Sequence, residues 1–494
     1  MAGNVSVIAP LGILIAGGFV IYLLARLLNL DNRVEAVLTV LVLLATLVTT
    51  WMLIPSWFGS TTAFFGVLGD GGVIFQPNVL GIFIFLISLI LGGLVSLYSA
   101  KSLSRDSRYL VYYPLILLSL AGLLGMFMTR DLFNLFLLTE LTTITVSALV
   151  GFRYHQDRAI RAGFKYLIMS SLGTMIMLFG IYLVYRGSGA LGLQMEIPIG
   201  TDSFSRIGAG CFLVGFSLKA GVVPLHTWVP EVYSQAPSSV SALMAGVISK
   251  SMLFIIPGVC LRLGITREEL GIFLMVSACL NMLLGVIRAL NQRELRRFLS
   301  YSSIAQTGYL MFTLGVGIYY SYTPAFSTGL FLFLGEAVMN GLVFLSAGVY
   351  EYHLDIRDVQ ALSGVSRKMP AQAFCFSVGL AGLAGIPLLA GFTGKWLVFS
   401  ATIAVNDRFA WIGLAIFLIS TVIGLAGYLP VLAFQYRPAE NLASDSAVGD
   451  FSRVHVSNWM AIPVGALTLM VFLLGVYPGP WMGIIESLIK WLAI

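Results

Sequence analysis

Apolar runs of about twenty residues recur along almost the whole chain, and that repetition decides what it can be. Leu110–Met128 and Trp411–Phe434 are two of them. A bilayer core takes ~20 apolar residues as helix, and backbone groups in lipid must be satisfied within the segment. On that ruler the sequence predicts about fourteen spans. Only 10% of the 494 residues are charged, against about 25% in an ordinary soluble domain. The fold class is therefore an all-α polytopic membrane protein. The four cysteines are scattered through apolar runs with no CxxC pair, so no metal, haem or iron–sulfur site and no disulfide framework is expected. No phosphate-binding glycine fingerprint is present, and no cofactor is expected in this chain. Basic residues are too sparse and interrupted to suggest nucleic acid. The N-terminal apolar run lacks a basic preceding region and reads as a retained first span.

About 18 of the 28 Lys and Arg fall in loops after odd-numbered spans. The positive-inside rule then puts those loops in the cytoplasm, with both termini outside. Two spans carry interruptions. The seventh, Ile207–Val223, runs into LKAGVVPLHTW. The twelfth, Ala371–Ile403, is too long for one straight crossing and contains GIPLLAGFTGK. They stand five spans apart, and an odd offset inverts topology. Paired interruptions in two halves of a chain point to a transport site. The predicted division is an N-terminal three-helix segment (1–108), two inverted five-helix repeats (109–264 and 265–436), and a loop with the last span (437–494).

Few ionisable groups lie at membrane depth, and each needs a partner, water or a function. Lys219 and Lys250 flank the broken stretch that holds Pro224, His226 and Pro237, and Lys395 follows the interruption in the twelfth span. A lysine there either snorkels to the headgroups or carries charge. Glu140 lies mid-span in the fifth helix, either as a carboxyl kept neutral by burial and a hydrogen bond or as the acid paired with Lys219, which would make the protonation of that lysine switchable. Ser241, Ser249 and Ser251 give Lys250 polar company. His226 is a relay candidate or a structural histidine. Glu336 and Asn340 share one face of the eleventh span at i and i+4, lining either a polar track or an interhelical hydrogen-bond patch. Ser302, Ser303, Gln306 and Thr307 in the tenth span either hold water between Lys250 and Lys395 or join helices. The Gly-Phe-Thr-Gly before Lys395 predicts unwound backbone there.

Three stretches, PLHTWVPEVYSQAPSSVSALMAGVISK, RELRRFLSYSSIAQTGY and GIPLLAGFTGKW, resemble the antiporter-like subunits of proton-pumping NADH:quinone oxidoreductase (complex I). Multisubunit Na+/H+ (Mrp) antiporters and membrane-bound hydrogenases share this family. The resemblance runs from about residue 110 to 434. It implies fourteen helices, broken seventh and twelfth helices, and a polar axis across the protein. It also implies a glutamate–lysine pair at Glu140 and Lys219, a connecting lysine at Lys250, a terminal lysine at Lys395, and the PLHTW histidine at His226. Many members carry a histidine and a lysine in the eleventh helix, where this chain reads EAVMNGLVF. Glu336 and Asn340 occupy those places.

These readings predict a proton-translocating, antiporter-like subunit of a redox-driven complex. Its partners would be other membrane subunits, homologous ones among them, in a lipid bilayer. The transported ion would be H+, with Na+ as the alternative in an Mrp-type antiporter without redox chemistry. A stand-alone secondary carrier and a membrane scaffold are the remaining alternatives. With no visible redox centre, any electron transfer belongs to neighbouring chains.

Overall fold

The computed structural model describes residues 2–59, 64–65, 74–76, 78–104, 106, 109–189, 191–192, 203–438 and 453–490. The predicted 108/109 boundary and most of the loop opening the last segment (439–452) lie outside them. The first six spans are Ala2–Leu28, Asn32–Gly59, Val79–Ser102, Tyr109–Met128, Leu132–Val150 and Asp157–Ser188. A short antiparallel pairing of Phe64–Phe65 with Ile74–Phe75 sits between the second and third. The ninth, tenth and eleventh spans are Arg267–Leu290, Leu295–Tyr319 and Thr323–Leu354. Arg408–Tyr436 and Asn458–Val476 are the thirteenth and fourteenth, and the helix Gly479–Lys490 follows.

Among the described residues, 12 helical stretches are long and apolar enough to cross a membrane. The tenth span is not one of them. Its arginines and hydroxyls lower its hydropathy, although it is 25 residues long. The twelfth span is two helices of 15 and 16 residues. With these two, the candidate crossings number about fourteen, as the apolar runs predict.

Three spans depart from a continuous α-helix. The seventh consists of Ser203–Ala220, a 3₁₀ turn at Leu225–Trp228 and a short helix Val229–Gln235. Gly221 ends its first part at φ +73, a left-handed conformation that glycine adopts without a Cβ penalty. Freed backbone groups are met by neighbours, as membrane burial requires. The Val223 N–H donates to Asn281 Oδ1 of the ninth span at 2.8 Å, and the Trp228 indole N–H donates to the Leu218 carbonyl at 2.9 Å. An Asn281→Ala variant strands the Val223 N–H, at a cost of about 1–3 kcal/mol. The complex should then unfold at a lower temperature in a thermal melt with transport otherwise intact.

The twelfth span breaks between Pro370–Ala384 and Ala390–Val405. Gly385 caps the first half at φ +88, and its N–H returns to the Ala381 carbonyl at 3.0 Å. Pro387 disfavours helix at the residue before it, and the chain turns through Pro387 and Leu388, the latter at φ +72, before the second helix starts at Ala390. The interruption is therefore GIPLL, and the Gly-Phe-Thr-Gly stretch that sequence reading placed in unwound backbone is the first turn of the second helix. The halves approach so closely at Gly382 and Gly391 that a Cβ on Gly391 would stand 1.8 Å from the Gly382 carbonyl oxygen.

The eighth span is continuous but holds a π-helical turn, Met244–Ile248, between Ser238–Leu243 and Ser249–Cys260. It and the eleventh span form the middle of the molecule, with 89% and 100% of their hydrophobic windows buried. Gly246, inside the π turn, faces the backbone of Ala337, so the two central helices meet at the level of Glu336.

Candidate functional site

All three lysines singled out from sequence lie inside the protein. Lys219, Lys250 and Lys395 are 4%, 1% and 9% exposed. Neither headgroup snorkelling nor bulk solvent accounts for such burial.

Lys219 sits in the last turn of the first part of the seventh span. Its Nζ donates to Thr143 Oγ1 at 2.5 Å. Thr143 stands three residues after Glu140 on the fifth span, one helix turn away. Glu140 itself accepts from Ser171 Oγ at 3.4 Å, and its second oxygen has no partner among the described residues. The acid and the lysine thus share a neighbourhood through Thr143 and form no direct ion pair. Glu140 is half-buried. Leu137 and Ile144, its neighbours along the fifth span, are 48% and 55% exposed, so the carboxyl lies at the rim of the bundle.

Lys250 follows the π turn and meets Glu336 of the eleventh span. Nζ and Oε2 are 2.6 Å apart, and both side chains are essentially unexposed. No other described group hydrogen-bonds either one. Such a pair pays the desolvation of two charges with little besides their mutual attraction, so its presence is weak evidence for stability and points to another role. The eleventh-span face read from sequence as a polar track or a hydrogen-bond patch therefore supplies the counter-charge of Lys250. Asn340 turns back onto its own helix, its amide donating to the Glu336 carbonyl at 2.9 Å.

The serines near Lys250 serve other partners. Ser249 accepts from the Tyr233 hydroxyl at 2.8 Å, and Ser251 donates to the Val247 carbonyl at 2.8 Å. Ser241 accepts from Arg296 at 2.9 Å. Arg296, 6% exposed, also donates to the carbonyls of Tyr233 and Ala236 and pairs with Glu351 at 3.2 Å. Sequence reading assigned no chemistry to the charged run that carries Arg296. Its position four residues before Ser300, on a helix otherwise lined by hydroxyls, is the signal that it faces inward.

Lys395 lies in the second half of the twelfth span and reaches back across the break. Its Nζ donates to the carbonyls of Leu383 at 2.9 Å and Ala384 at 3.2 Å, the free carbonyls at the end of the first half. A cation at that helix C-terminus also meets the negative end of the helix dipole. The Tyr309 ring lies 5.1 Å from the ammonium. Gln306 donates to the same Leu383 carbonyl at 3.3 Å, so one member of the tenth-span polar patch reaches Lys395. Ser302 bonds the Tyr428 hydroxyl and Thr307 bonds the Ser303 carbonyl, and no member of the patch bonds Lys250.

His226 is half-buried in the 3₁₀ turn, and its Nδ1 has no hydrogen-bond partner among the described residues. It is joined to neither Lys219 nor Lys250. No group of three or more His, Cys, Asp or Glu suited to a metal occurs among the described residues. Tyr309, Thr143 and Asn281 were missed by sequence reading. Asn281 had a signal, since a lone amide in the apolar run SACLNMLLG calls for a partner.

Chemically, the arrangement is three buried ammonium groups on interrupted or π-turn-bearing helices. One faces a carboxylate, one a hydroxyl and one the open carbonyls of a broken helix. Groups of this kind can take up and release ions only if local geometry changes their partners.

The family model for the transmembrane region of NADH:quinone oxidoreductase and Mrp antiporters matches residues 129–424. The F(420)H(2) dehydrogenase subunit N of Methanosarcina mazei is 28% identical over 97% of this chain and 97% of that protein. The NADH-quinone oxidoreductase subunit N of Ectopseudomonas mendocina is 31% identical over 76% of this chain and 75% of its own length. A solved structure of the membrane-bound sulfane sulfur reductase, an archaeal respiratory membrane complex, contains a chain of the same fold. It has a TM-score of 0.84 at 21% identity, over 99% of both chains. The matched region takes in both broken spans, the π turn and all three buried lysines, and the chain belongs to the NADH:quinone oxidoreductase/Mrp antiporter transmembrane family.

Proposed function

We propose that this chain is the proton-translocating subunit of a redox-driven, energy-converting membrane complex. The observation that carries this reading is the burial of Lys219, Lys250 and Lys395 on interrupted or π-turn-bearing helices, with Glu336 against Lys250. Protons move between these groups, Glu140 modulates the first, and His226 is an accessory relay. Spans four to eight and nine to thirteen act as two inverted units, each with one broken helix. The odd-numbered loops lie in the cytoplasm and both termini outside, as the distribution of basic residues favours.

Glu140 supports a multisubunit setting. A carboxyl at the rim of a bundle among exposed apolar side chains is costly against lipid. An adjoining subunit that covers the fifth span would relieve that cost and place its own charges near Glu140. The family also includes Mrp antiporters, which is the alternative. The redox reading is favoured by the F(420)H(2) dehydrogenase subunit, a relative that covers 97% of this chain. Co-purification of hydrogen-, cofactor- or quinone-handling subunits supports it, and a set of antiporter subunits alone selects the alternative.

The test is Lys219→Ala and Lys395→Ala in the assembled complex. Each variant should slow proton uptake into vesicles at least about tenfold, equivalent to ~1.4 kcal/mol of added barrier. Undiminished pumping in both would end the conduit reading. Reduced assembly with normal transport per complex would assign the lysines a scaffold role.

A further inference from the structure

Two arginines share a crevice away from the lysine axis. Arg130 lies between the fourth and fifth spans, and Arg262 directly follows the eighth. With Phe127, Phe254 and Val259 they line a cavity of about 50 Å³, which also borders the start of the third span. These helix ends all belong to the membrane face reached after even-numbered spans, so the guanidiniums stand at one level, where apolar helix gives way to polar loop. The crevice opens past Gly258, which is exposed.

Four arginines elsewhere in the described structure find acids. Arg153 pairs with Asp106, Arg206 with Glu269, and Arg296 and Arg357 with Glu351. Among the described residues, neither Arg130 nor Arg262 pairs with one. Arg130 is fixed by a neutral partner, its Nε donating to Gln76 Oε1 at 2.9 Å. Gln76 is in turn held by its own N–H on the Met128 carbonyl at 2.7 Å. Burial first, and Arg262 second, push the Arg130 guanidinium down to about 10. Burial likewise lowers Arg262. Two like charges held together by a protein without a carboxylate between them call for an anion from outside.

We propose that Arg130 and Arg262 bind a phosphate-bearing anion, and that its source is the headgroup of an anionic phospholipid. Guanidinium forks match phosphate oxygens in pairs. The small cavity admits a phosphate group and leaves a bulkier headgroup outside. Phe127, Phe254 and Val259 are buried and wall the small cavity around the phosphate, and the acyl chains stay outside it, past the exposed Gly258. The site is separate from the lysine axis and does not depend on translocation.

The test uses the assembled complex, stripped of lipid in detergent and then supplied with mixed micelles containing phosphatidylglycerol. Bound lipid is counted by native mass spectrometry. The wild type should hold about one more phosphatidylglycerol per chain than the Arg130→Gln/Arg262→Gln variant. An Arg130→Lys/Arg262→Lys variant keeps the charge but loses the paired guanidinium contacts, and should hold less lipid than the wild type and more than the Gln variant, which separates loss of the site from loss of the fold. Inorganic phosphate at equal concentration should not displace it. Equal lipid counts in wild type and the Gln variant overturn the site, and displacement by inorganic phosphate overturns the lipid as its source.

Discussion

A Glu336→Leu variant alone loses about 3–5 kcal/mol of stability, and adding Lys250→Met recovers most of that loss. Removing one partner strands a fully buried charge. Removing both replaces an ion pair that has no supporting hydrogen bonds by packed apolar side chains, a change that is often neutral or stabilising. The informative measurement is transport per assembled complex in the double variant. If the pair serves translocation, Lys250→Met/Glu336→Leu folds and assembles like wild type, yet pumps at least about tenfold more slowly. If the pair only joins the eighth and eleventh spans, the double variant pumps normally. The single and double variants together separate a stability defect from a transport defect, which an alanine substitution at either position cannot do.

Gly391→Ala has the second large effect. The added methyl would lie 1.8 Å from the Gly382 carbonyl oxygen and 3.3 Å from Met339 Sδ. The first clash is with backbone that no rotamer change can relieve, so the halves of the twelfth span must part. Overpacking in a core costs typically 1–3 kcal/mol, and a backbone collision lies at or beyond the upper end. Lys395 stands four residues after Gly391, so the displacement carries it off the Leu383 and Ala384 carbonyls. The expected result is poor recovery of the chain in the purified complex, with no pumping by what does assemble. Gly465→Ala, in the fourteenth span where nothing lies within 4 Å, is the control and should be silent.

The features visible in the sequence were those written locally. Apolar run length gave the spans, Gly and Pro gave both breaks, and a lysine inside an apolar run marks itself. Partners distant along the chain were not visible. Glu336 and Lys250 are 86 residues apart, and no periodicity reports that the eighth and eleventh spans touch; the contact depends on Gly246 admitting the Ala337 backbone. Glu140 was read as the acid acting on Lys219 because charge was the only clue, and the neutral hydroxyl that takes the ammonium, Thr143, left no such mark in the sequence. The unwound segment was drawn too long, running on through Gly-Phe-Thr-Gly, because Gly-rich sequence suggests loop. In a membrane core Gly more often marks where two helices press together, as Gly391 and Gly394 do.

The π turn at Met244–Ile248 sets which way Lys250 points. An α-helix advances about 100° and 1.5 Å per residue. Winding that wide turn into ordinary α-helix would shift the downstream register by about one residue and aim the ammonium well away from the eleventh span. A single loop of slack, held inside an otherwise continuous rod, thus sets the azimuth of the central charge and aims it at Glu336.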